Sequence, residues 1–229
     1  MPRVVTYRYI DPLTQVWLGT AQRIGLRVIR TPDAYAATDG SGTLAIGDDT
    51  ALDPDDSLAQ MIFHELCHSL VEGEESFTRA DWGMDNTGPD HDWREHACLR
   101  VQWVLTGRHG LRTLFAPTTD FRASFWDRLS DDVLSDRTDP SVQAAILGLR
   151  RAALPPWAPH LAEALAATAR IAQEAAKLAT EPTVLWHGVT PAPAAHPTGL
   201  PAGAASGTCG GCAWRFEQRG VAKCRHTNT

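Results

Sequence analysis

The pentapeptide His64-Glu65-Leu66-Cys67-His68 lies midway along the most strongly helical stretch of the chain, and no other feature constrains the fold as tightly. Around it Leu58, Met61, Ile62, Leu66 and Leu70 recur at intervals of three and four, the period of a helix with one face on a core. Asp53-Pro54-Asp55-Asp56 reads as the start of that helix, with a capping acid, a proline at the first helical position and acids against the positive end of the dipole. Gly73 reads as its stop. Four residues apart, His64 and His68 project from one face a turn from each other, so both imidazoles can reach one Zn²⁺ at about 2.0–2.1 Å. Glu65 lies beside that face, placed to hold a metal-bound water and take its proton. Cys67 points roughly 100° away and reads as a small core residue.

The flanking segments predict an α+β chain. Residues 11 to 24 have helical spacing, Leu26 to Ile29 reads as a short strand, and Asp39-Gly40-Ser41-Gly42 is a turn leading into a strand over Thr43 to Gly47. Residues 74 to 90 read as a loop whose aspartates, Asp81 among them, are solvated, and Asp90 can cap a second helix from His91 to Leu105. Helices are expected over 121 to 134, 141 to 153 and 157 to 180. The last carries Trp157, Leu161, Leu165, Ile171 and Leu178 as a packing stripe. From 181 to 208 the composition turns to Pro, Ala, Gly and Thr, that of a linker.

Charge and cysteine usage bound the function. A formal charge of -6 over 229 residues makes phosphate attraction no property of the whole molecule, so nucleic acid is a disfavoured partner. No stretch reaches the roughly 18 apolar residues that span a bilayer, and the N-terminus lacks a secretory h-region, so a cytoplasmic protein without a membrane partner is expected. Thiols stay reduced in that compartment, which makes the five cysteines metal ligands or core residues. Cys209-Gly-Gly-Cys212 is a metal knuckle, and Cys224 adds a third thiolate. The fourth ligand is either His226, giving a Cys₃His zinc site, or Cys98, giving a Cys₄ site suited to zinc or to an iron-sulfur cluster.

For the first metal the second helix offers His91, Glu95 and His96 as a third ligand. Here the chain, over roughly residues 10 to 107, resembles the zincin metallopeptidases, and the identity of the third ligand separates the families within them. Glu95, 27 residues after His68 and closely followed by Ala97, is similar to the glutamate of the gluzincins, above all the compact ImmA/IrrE-type peptidases. His91 would then lie one turn before it, near the ligand, the substrate or a developing oxyanion. The SprT-like proteases often share His-Glu-x-Cys-His and take a histidine before an aromatic residue. His91-Asp92-Trp93 fits that in part, with Asp92 in place of the usual glycine.

The resemblance implies a zincin-like domain, read here over 1 to 110, and the segments after it read as a helical extension to 180, the linker and a metal-binding tail over 209 to 229. It implies an edge strand, here Thr43 to Gly47, that pairs with an extended peptide or protein substrate. It also implies hydrolysis of the peptide bond, with Zn²⁺ held by His64, His68 and Glu95 and with Glu65 and His91 as catalytic residues. Two other readings remain. One is a metal-dependent regulator or sensor with a degenerate peptidase site; the other is a SprT-like protease acting on nucleic-acid-bound proteins.

Overall fold

A computed structural model describes residues 6–7, 9–53, 55–84, 92–118, 120–178, 215–218 and 221–224. Asp11 opens the first helix by accepting the Thr14 amide on its carboxylate, and Pro12 takes the first helical position, so α1 runs Pro12–Ile24. Three strands follow: β1 (Arg27–Thr31), β2 (Ala36–Thr38) and β3 (Thr43–Gly47). Their order is β1-β3-β2, with β3 parallel to β1 and antiparallel to β2. The strand expected at the edge is therefore the central one, hydrogen-bonded on both sides, and the edges are β1 and β2. Ala36-Ala37-Thr38 is too short and too weakly β-forming to announce itself. The turn at Asp39 folds it back: the Asp39 carboxylate accepts the amides of Ser41 at 2.7 Å and Thr43 at 2.9 Å.

The motif helix α2 spans Leu58–Glu72 and starts later than the Asp53 signal implies. Ser57 is the cap, its hydroxyl accepting the Gln60 amide while the Gln60 side chain accepts the Ser57 amide. Asp56 is taken up instead by the hydroxyls of Tyr35 and Thr118. Two 3₁₀ turns, Glu74–Thr78 and Asp81–Gly83, interrupt the expected loop. Then come α3 (Asp92–Gly107), α4 (Pro140–Arg151) and α5 (His160–Leu178). No helix forms over 121 to 134. Phe121 sits at φ 61, in the left-handed region that a helix cannot use, and only a 3₁₀ turn at Trp126–Arg128 survives before Leu129 becomes extended.

Residues 1 to 186 form one unit. At its centre Trp17, Phe63 and Phe115, from α1, α2 and the segment after α3, meet with ring centroids 4.6 to 5.4 Å apart. The helices after residue 110 share this core, so the structure draws no boundary there. Buried Ala145, Trp157, Leu161 and Leu165 belong to the same apolar cluster as Leu66 and Leu70. Trp157 donates its indole N–H to Ser69 Oγ at 2.8 Å, and Trp17 donates to Thr168 Oγ1 at 3.2 Å. Arg151 donates to the carbonyls of Leu70 and Val71, both at 2.7 Å, closing the C-terminal end of α2. Gly73 makes room for it: at φ 91, a Cβ there would lie 3.0 Å from the guanidinium. The α5 stripe ends early, with Ile171 half-buried and Leu178 85% exposed.

Residues 187 to 229 form a second unit, in which β4 (Arg215–Gln218) and β5 (Val221–Cys224) pair antiparallel, Arg215 opposite Cys224. The linker at 181 to 208 and the ligand candidates Cys209, Cys212 and His226 lie outside the described residues. Among the described residues no helix is long and apolar enough to cross a membrane.

Candidate metal centre

Because α2 and α3 pack side by side, the histidine face of one meets the first turn of the other. His64 Nε2 and His68 Nε2 are 3.1 Å apart, and the Glu95 carboxylate reaches both, Oε1 at 3.3 Å from His64 and Oε2 at 3.1 Å from His68. A tetrahedral ion about 2.0–2.1 Å from each ligand holds those ligands about 3.3–3.4 Å apart, so the three groups fit a metal with only small adjustment. The centre is partly open, His64 and Glu95 each keeping 23% of their side-chain surface exposed while His68 is buried.

The tautomer of His64 follows from its neighbours. Gln102 donates its amide N–H to the Phe115 carbonyl, which turns its Oε1 toward His64 Nδ1 at 3.2 Å. His64 must therefore carry its proton on Nδ1 and present a lone pair at Nε2. Cys98 completes a group of four potential ligands whose donor atoms lie within 4.8 Å of one another, but it stands behind His64, its sulfur 3.7 Å from Nδ1. It donates to the His64 carbonyl at 3.5 Å. Burial, and then the adjacent Cys67 thiol, push the Cys98 thiol up, so it stays protonated at neutral pH. Cys67 itself is fully buried, as its place on the helix implies.

Burial alone would lower the pKa of His68, but the Glu95 carboxylate, followed by Glu65 and Glu72, raises it to about 9. In the metal-free chain a proton thus does the work of a cation between Glu95 and the two imidazoles. The folded pKa lies above the ordinary 6.5, so the stabilisation is full below pH 6.5 and is lost as pH rises through 9. The metal-free protein is expected to lose on the order of 3 kcal/mol between pH 6 and pH 10, a loss that urea titrations of His68→Leu should not show.

Glu65, 7% exposed, accepts the Trp82 indole N–H on Oε2 at 2.8 Å. That tryptophan comes from a short strap tied to the sheet edge: the Trp82 amide donates to Thr38 Oγ1 at 3.1 Å, and the Thr38 amide donates to Asp81 at 3.2 Å. Asp81 is thus a structural acceptor and not a solvated loop acid. Asp81 at φ 48 and Trp82 at φ 57 are both left-handed, a conformation unfavourable for non-glycine residues and kept here by those bonds. Gly40, at φ 67, lets the strap pass, since a Cβ would sit 2.8 Å from the Arg79 carbonyl carbon. Gly40→Ala is expected to cost about 1–3 kcal/mol in chemical denaturation and to weaken the Trp82 hold on Glu65.

Of the residues singled out in the sequence, His64, His68, Glu95 and Cys98 come together, and Glu65 borders them. His96 turns elsewhere, stacked on Phe125 at 3.9 Å between ring centroids. His91 lies outside the described residues, and Cys224 is the last residue of β5. Sequence reasoning passed over Gln102 and Trp82. Gln102 stands seven residues after Glu95, two turns along the same helical face, a spacing that can be read in advance. Trp82 sends no such signal, because strap geometry alone brings it to Glu65. No protein-family model matches the chain, and no curated protein or solved structure matches it significantly.

Proposed function

We propose that the chain is a zinc-dependent metallopeptidase of the gluzincin type. The observation that carries this reading is the convergence of His64, His68 and Glu95 on one point, bordered by a carboxylate, Glu65, that another side chain holds in place. Two imidazoles and one carboxylate form a donor set that zinc accepts while keeping a position open. Bound zinc supplies Lewis acidity, which polarises a peptide carbonyl and makes water more acidic. Glu65, with Oε2 engaged by Trp82, takes a proton from the attacking water on its other oxygen and passes it to the departing amine. An extended substrate needs a sheet edge, and the edges here are β1 and β2, the latter covered at Thr38 by the strap that carries Trp82. Cys209, Cys212 and Cys224 are read as a second site for zinc or an iron-sulfur cluster.

Elemental analysis tests the reading on protein purified without oxygen and without a metal-binding tag. The Cys209→Ser/Cys212→Ser chain is expected to keep about one zinc, and that form to cleave members of a peptide library. Chelation should abolish cleavage and added zinc restore it. Zinc retained without cleavage of any peptide would favour a regulator, and folded protein holding neither zinc nor iron would overturn the metal centre.

A further inference from the structure

Two buried polar atoms near the centre have no hydrogen-bond partner among the described residues: His68 Nδ1 and Glu72 Oε1. They lie one turn apart on α2, where side chains four residues apart are neighbours, and the Glu72 charge is felt at His68. One atom is a potential donor and the other an acceptor. Buried groups of this kind are rarely left unpaired, and each orphan here supplies what the other lacks. The second oxygen of Glu72 is already fixed by Arg94, which immediately precedes the ligand Glu95 on α3.

We propose that Glu72 is the positioning carboxylate of the metal centre, accepting the His68 Nδ1–H directly or through one water while it clamps Arg94 beside Glu95. The inference rests on the metal centre proposed above and adds a residue outside the ligand set. Its chemical consequence mirrors that of Gln102 at His64. With Nδ1–H held by a carboxylate, His68 presents a more basic Nε2 lone pair to a cation, and its ring cannot turn. Through Arg94 the same carboxylate ties the second half of α2 to the first turn of α3, so one side chain sets the spacing between His68 and Glu95.

Zinc affinity of the full chain, read by competition with a chromophoric chelator in the Cys209→Ser/Cys212→Ser background, is the test. Glu72→Ala is expected to weaken zinc binding about 10–100-fold with the helical circular dichroism unchanged. Arg94→Ala should weaken it less, and the double variant should match Glu72→Ala. Equal losses in the two single variants would reduce Glu72 to an ion-pair partner and overturn the proposal, as would a Glu72→Ala affinity within about threefold of the parent's. Should Glu72→Ala fail to fold, the zinc-loaded parent still decides. Its His68 Nδ1–H is expected as a slowly exchanging proton in ¹⁵N-resolved NMR, and exchange as fast as at a surface imidazole would overturn the assignment. A parent without stoichiometric zinc would instead remove the centre itself, and the proposal with it.

Discussion

Glu65→Gln is expected to leave zinc at one per chain in the main centre and to slow peptide hydrolysis about 10²–10⁴-fold. The substitution keeps the shape of the side chain, and its amide oxygen can still accept the Trp82 indole N–H that holds Oε2 at 2.8 Å. His64, His68 and Glu95 are untouched, so the proposed zinc would keep the same three ligands. Only the capacity to take and return a proton is lost. Measuring turnover on a cleaved library peptide beside chelator-titrated zinc separates the two effects. A variant with full zinc and parental turnover would reject the role of Glu65, whereas one that loses zinc would show that Glu65 supports the ligands.

Glu95→Ala should act on the other half of the chemistry. Zinc sites of four ligands are worth roughly 10–16 kcal/mol, about 3 kcal/mol per ligand, so the variant is expected to bind zinc about 10²–10³-fold more weakly. Glu95 touches both imidazoles, at 3.3 and 3.1 Å, and is the main group holding the His68 proton in the metal-free chain. Its removal therefore also lowers the His68 pKa and flattens the pH dependence of metal-free stability. His91→Ala makes the comparison decisive. If Glu95 is the third ligand, that variant keeps parental zinc affinity; if His91 is, the two results change places.

The centre was legible where its chemistry follows helical arithmetic. His64 and His68 share a face because they are four residues apart, and Glu95 could be singled out from its place in the first turn of a second helix, although the packing of that helix between α2 and α4 could not. The helix at 140–151 and most of that at 160–178 were readable for the same reason. Illegible were the contacts made by tertiary folding alone. Ser57 displaced Asp53 as the cap because Gln60 could reciprocate, while Tyr35 and Thr118 drew Asp56 away. Strand β2 exists because a turn returns it to β3, not because Ala36-Ala37-Thr38 favours extension. The stretch after Pro117 has helical spacing, yet Phe121 turns left-handed and the pattern is spent on packing irregular backbone.

The closure of α2 by Arg151, Trp157 and Gly73 bears on how such a chain can change over time. The helix that carries both histidines depends for its last carbonyls and for Ser69 on residues some eighty positions downstream. A cut near residue 110 would leave these groups buried without partners and open the core where Leu161 and Leu165 now lie. The histidine helix is therefore not a portable cassette: gene fusion or domain shuffling would have to carry everything through α5.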